Sequence, residues 1–72
     1  MRITKTVRLS GTSDRSIEAA IKTVLARAAE TITEITRFDV INVSGEVDSS
    51  GVPTGYHVDL DITFVVRETA HN

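Results

Sequence analysis

The 72 residues suffice for one small domain spanning 1–72, and eight Lys and Arg against ten Asp and Glu leave a net charge of −2 with both signs scattered along the chain. No basic block is present to follow a phosphate backbone, which argues against nucleic acid as a partner, and the lack of cysteine excludes disulfides and thiolate zinc sites. Apolar runs of two or three residues, and a start at Met1-Arg2-Ile3-Thr4-Lys5 without a signal-type apolar region, argue against membrane insertion and lead us to expect a cytoplasmic protein.

A chain this short buries barely enough apolar surface to offset about 1.5 kcal/mol of ordering entropy per residue, so self-association is the expected staple. The aromatic residues are Phe38, Tyr56 and Phe64, too few to line an aromatic pocket within one chain. A large planar ligand would need several subunits.

In chain order, Ile3, Val7 and Leu9 alternate with Thr4, Thr6 and Arg8, which predicts a strand over Arg2 to Ser10. Gly11-Thr12-Ser13 then breaks the alternation, and Ser13 ahead of Asp14 and Glu18 predicts a helix N-terminus at about Asp14. Apolar residues at Ile17, Ala20, Ile21, Val24, Leu25, Ala28, Ile32 and Ile35 keep a three-and-four spacing, so the helix is expected to run to about Glu34. From Phe38 to Val47 apolar residues fall on both faces around Gly45, the pattern of a bulged strand or one covered by a partner. Asp48 to Gly55 has turn composition and should close a hairpin. The last strand is the cleanest: Tyr56, Val58, Leu60, Ile62, Phe64 and Val66 form the core face, opposite His57, Asp59, Asp61, Thr63 and Val65. Residues 67–72 lack periodicity and are expected to form a loose tail containing His71. The order strand, helix, strand, strand gives an α+β fold, β-α-β-β, in which the third strand lies between the first two in an antiparallel sheet.

Few residues carry chemistry. The one plausible base outside the tail is His57, and no strained turn presents a nucleophile, so an enzyme is not expected. Gly11-Thr12-Ser13 lacks the rest of a phosphate loop and reads as a helix cap. His57, Asp59 and Asp61 project to one side of a strand, where copies around a symmetry axis could hold a hard cation. That signal is weak: alternating acids on a strand's solvated face are ordinary and are the preferred reading, followed by interface salt bridges to Arg8 or Arg37.

Several stretches resemble the dodecins: Leu9-Ser10-Gly11-Thr12-Ser13, the helix with Ile17-Glu18-Ala19-Ala20-Ile21 and Ala26-Arg27-Ala28, Arg37-Phe38-Asp39-Val40, and Tyr56-His57-Val58-Asp59-Leu60-Asp61-Ile62-Thr63-Phe64. The resemblance covers residues 2–67. It implies a three-stranded sheet wrapped around one helix, a homododecameric hollow shell, and storage of flavin, riboflavin or FMN, bound pairwise between subunits. In the flavin-binding members a Trp stacks on the isoalloxazine ring where this chain has Arg37, and a Gln bonds its pyrimidine edge where this chain has His57. Losing base-on-aromatic stacking of about 1 to 3 kcal/mol is expected to weaken binding unless the Arg37 guanidinium stacks in its place. The resemblance also extends to flavin-free dodecins associated with calcium. On that alternative Glu46, Asp59 and Asp61 would hold calcium or magnesium, or the shell would be purely structural, with Arg37 pairing between subunits to Asp39, Asp59 or Glu46.

Overall fold

Alternation does not stop at Ser10. In the computed structural model, which describes residues 2–67, the first strand β1 spans Ile3–Ser13 and carries Gly11, Thr12 and Ser13 as paired strand residues opposite Val58, His57 and Tyr56. The turn expected there is displaced because Gly11 serves packing: a Cβ at this position would collide with Val24 Cγ2 of the helix, so its missing side chain lets helix and sheet approach. Turning falls to the next residues, where the Ser13 hydroxyl accepts from the Arg15 amide at 3.0 Å. Ser16 is the N-cap, accepting from the Ala19 amide at 2.9 Å, and helix α1 runs over Ile17–Ala28.

The helix is shorter than its apolar stripe. After Ala28 the chain leaves the α-helical path through a turn, with the Ile32 amide on the Ala28 carbonyl at 2.8 Å, and Glu34 takes a left-handed backbone with φ 56. Ile32 and Ile35 still pack on the core, but from non-helical backbone, which is why the three-and-four spacing outlasts the helix. The segment is tied to the sheet's end: the Val65 amide donates to the Glu34 carbonyl at 3.1 Å, and the Arg67 guanidinium grips the Glu34 carboxylate through Nε and, at 2.7 Å, Nη2. Arg67 is therefore pinned, not the first residue of a loose tail. The rest of that expected tail, with His71, lies outside the described residues.

Strand β2 spans Ile35–Val47 and β3 spans Pro53–Val66, in a sheet of order β1-β3-β2 with both pairings antiparallel. The irregular pattern of β2 is bulging, with register shifts between Ile35 and Arg37, Val40 and Asn42, and Glu46 and Val47. The hairpin between β2 and β3 closes on Asp48, whose carboxylate accepts from the Ser50 and Val52 amides at 2.8 and 3.0 Å. Gly51 supplies the positive φ of 83.

Ala20, Val24 and Ala28 of α1 meet Val58, Leu60 and Ile62 of β3 to form the core. The expected core face of β3 is buried through Ile62; beyond it Val66 is exposed, while Val65 on the opposite side is buried beside the Glu34 segment whose carbonyl its amide bonds. Helix α1 packs on β1 and β3 and leaves the same side of β2 uncovered. Phe38, Val40 and Val43 are there exposed at 42%, 42% and 44%.

Candidate functional site

The side of the sheet away from α1 is polar, and the register sets its side chains in cross-strand rows. Thr12, His57 and Ser44 form one row; Ser10, Asp59 and Asn42 the next; then Arg8, Asp61 and Asp39; then Thr6, Thr63 and Arg37. The bulge at Ile41 keeps Asp39 and Asn42 on one face although they are three residues apart.

Within these rows the charges are paired. Arg8 holds Asp61 in a two-pronged bridge, Nε to Oδ1 at 2.7 Å and Nη2 to Oδ2 at 3.2 Å. Arg37 Nη2 donates to Asp39 Oδ1 at 2.7 Å, so the pairing expected between subunits forms within one chain. Asp39 stands directly opposite Asp61 across the β2–β3 pair. Two carboxylates in register repel, and the arginines on either side offset that cost. The Asp59 carboxylate accepts the Ser10 hydroxyl and lies 3.1 Å from His57 Nε2. Because a carboxylate is acceptor only, Nε2 carries the proton in that contact, and in the neutral imidazole Nδ1 is then the acceptor. The Ser10 hydroxyl, then His57, hold the Asp59 carboxyl below its ordinary range, and the Arg8 guanidinium does the same for Asp61.

At the hairpin end of this face the side chain of His57 borders an open cavity of about 520 Å³ that Thr12, Ser44, Glu46 and Tyr56 also line. That volume suits part of a small ligand. Arg37 lies at the other end. His57 and Thr63, the β3 residue that Arg37 faces, are six residues apart, about 20 Å along a strand. One chain therefore does not bring Arg37 and His57 together. Nor does it gather the three acids singled out above: Glu46 lies opposite Gly55, four residues beyond the Asn42 that faces Asp59, about 13 Å along the strand. Among the described residues no three His, Asp or Glu side chains are grouped to hold a metal ion. Ser10 escaped the sequence reasoning, since its contact with Asp59 follows only from the strand register.

Residues 3–67 match the family model of the dodecins. The chain belongs to the dodecin family. The Thermus thermophilus dodecin is 38% identical over 68 residues, which cover 94% of this chain and 97% of that protein. A crystal structure of a point variant of the T. thermophilus dodecin superposes with a TM-score of 0.86 at 38% identity, covering 96% of this chain and 100% of the other. The calcium dodecin of Mycobacterium tuberculosis, described as a calcium-chelating antigen with a novel calcium-binding site, superposes with a TM-score of 0.76 at 28% identity, covering 97% and 99%. The dodecin fold, strand, helix and two-stranded hairpin with the last strand central, is the one the residues predicted. No helix among the described residues of this dodecin is long and apolar enough to cross a membrane.

Proposed function

We propose that this dodecin assembles into a homododecameric shell that binds and stores a flavin, riboflavin or FMN, between subunits, with Arg37 and His57 of different copies contacting the ring. The observation that carries this is membership of the dodecin family over residues 3–67; Arg37 and His57 lie on one face about 20 Å apart within a chain, so on this reading a ligand touching both spans two chains. The uncovered apolar side of β2, with Phe38, Val40 and Val43, supplies surface for such contacts. The residues fit the ring in two ways. The Arg37 side chain is 64% exposed and presents a planar cation able to stack, and the neutral His57 imidazole, with Nε2 on Asp59, offers Nδ1 as an acceptor for a ring N–H. The protein acts as a binder, not an enzyme: Ser10 and His57 both bond the same Asp59 oxygen, so the imidazole is not positioned to take the Ser10 proton.

Titration of riboflavin or FMN with purified protein, followed by flavin fluorescence, tests this. Quenching that saturates is expected, with affinity raised about 5-fold to 150-fold in Arg37→Trp, the span of one stacking interaction. Undiminished fluorescence with both proteins would end the flavin proposal.

The calcium-chelating relative favours a second reading, in which Glu46, Asp59 and Asp61 of several copies hold calcium or magnesium. Arg8 bonds both oxygens of Asp61, whereas Ser10 and His57 share one oxygen of Asp59, so a cation would compete with Arg8 at Asp61 and meet the other Asp59 oxygen more readily. A melting temperature that rises with calcium and falls with chelator would support it, and flat curves would remove it.

A further inference from the structure

Arg37 and Asp39 are two residues apart on one face of β2, and their contact uses one guanidinium nitrogen, Nη2, at 2.7 Å. Both planar faces of the guanidinium are left without a bonded partner, since these faces carry no N–H. Arg8, Asp61 and Asp39 share one row and Arg37 lies in the next; the two cations flank the two carboxylates and cancel them, and Asp59 in the row on the other side adds a further negative charge. A phosphate approaching Arg37 meets a face that is neutral to negative: Nε and Nη1 are still free to donate, but the Asp39 carboxylate beside them repels the incoming anion. An uncharged ring has no such conflict, because stacking on the guanidinium plane leaves the Asp39 bond in place.

We propose that Asp39 is a positioning and selectivity residue: by holding the Arg37 guanidinium and neutralising it, Asp39 makes it a flat platform that selects an uncharged planar ring over its phosphorylated form. This rests on the flavin proposal above and goes beyond it by naming riboflavin, not FMN, as the preferred form and Asp39 as the residue that sets the preference.

The test is fluorescence titration of riboflavin and FMN at low salt and at about 0.5 M salt, with wild type, Asp39→Asn, Arg37→Lys and Arg37→Trp, each checked for unchanged mass by light scattering. Wild type is expected to bind FMN no more tightly than riboflavin, with little salt dependence. Asp39→Asn frees the positive charge. Riboflavin should then weaken by up to about fivefold, while FMN gains about fivefold relative to riboflavin at low salt and loses that gain at high salt. Arg37→Lys keeps the charge without the plane and should weaken riboflavin more than FMN. A wild type that prefers FMN tenfold with a steep salt dependence, or an Asp39→Asn protein with an unmoved ratio, would overturn the platform. Quenching by Arg37→Trp but not by wild type would also overturn it while leaving the shell's flavin site standing, whereas no quenching by either would overturn the flavin proposal itself.

Discussion

Asp61 shows how the polar face is held together. It lies opposite Asp39, and the repulsion of that pair is relieved by Arg8 on one side and Arg37 on the other. Asp61 is held below its ordinary carboxyl range by hydrogen bonding to Arg8, Asp59 by Ser10 and His57, and Glu34 by Arg67. A carboxyl whose folded value lies below its unfolded one stabilises the fold fully above the unfolded value, about 4, and loses that stabilisation as pH falls through the folded value. Melting temperatures should thus be flat from about pH 7 to 5 and fall below about pH 4. Arg8→Gln should melt lower at neutral pH and lose less on acidification than wild type, because Asp61 then has less depression to give up. Equal acid losses for the two proteins would show that the bridge contributes nothing. The common face of His57, Asp59 and Asp61 was legible from alternation alone. The Ser10 contact and the Asp39–Asp61 juxtaposition were not, because they depend on which residues β1 and β2 set opposite β3, a register that no local pattern in the chain encodes.

At the scale of elements, the glycine at position 11 marks the difference between what local composition suggests and what packing demands. Gly-Thr-Ser has the composition of a turn, yet all three residues pair in β1 because the helix needs the space that Gly11 leaves beside Val24. Replacing Gly11 with Ala should force Val24 aside or part the helix from the sheet, at about 1 to 3 kcal/mol, lowering the melting temperature by several degrees or more. An unchanged melting temperature would return Gly11 to the role of an ordinary turn residue. The helix's C-terminus was hidden for a related reason. Ile32 and Ile35 continue the apolar rhythm and reach the same core, so periodicity could not separate a fifth helical turn from a connector that folds back beneath it. Glu34, with its left-handed backbone and its bonds to Val65 and Arg67, is where that connector is fastened, and nothing in its residue type announces the role. The bulges of β2, by contrast, were visible as apolar residues on both faces around Gly45.

As a whole, the single chain is poorly closed. The large side chains that are fully buried are Leu60, Ile62 and Val58, and the surface of 5284 Å² exceeds by about a fifth the value of about 4,400 Å² expected for a compact monomer of 7.8 kDa. The radius of gyration, 15.6 Å, likewise exceeds the roughly 11 Å of a compact 72-mer. These quantities and the uncovered apolar side of β2 point to association, which the sequence hinted at through its short length and the two-sided hydrophobicity of Phe38 to Val47. Phe38→Asp, on the uncovered side, should leave the chain's own core intact while dissociating the assembly, seen as a fall in solution mass toward 7.8 kDa; an unchanged mass would place the contacts elsewhere. The most direct test of the shell is size-exclusion chromatography with multi-angle light scattering on protein purified without added ligand, reading absorbance at 280 and 450 nm across the peak. The account predicts a single species of about twelve times 7.8 kDa carrying a flavin band. A colourless monomer of 7.8 kDa at micromolar concentration would contradict it.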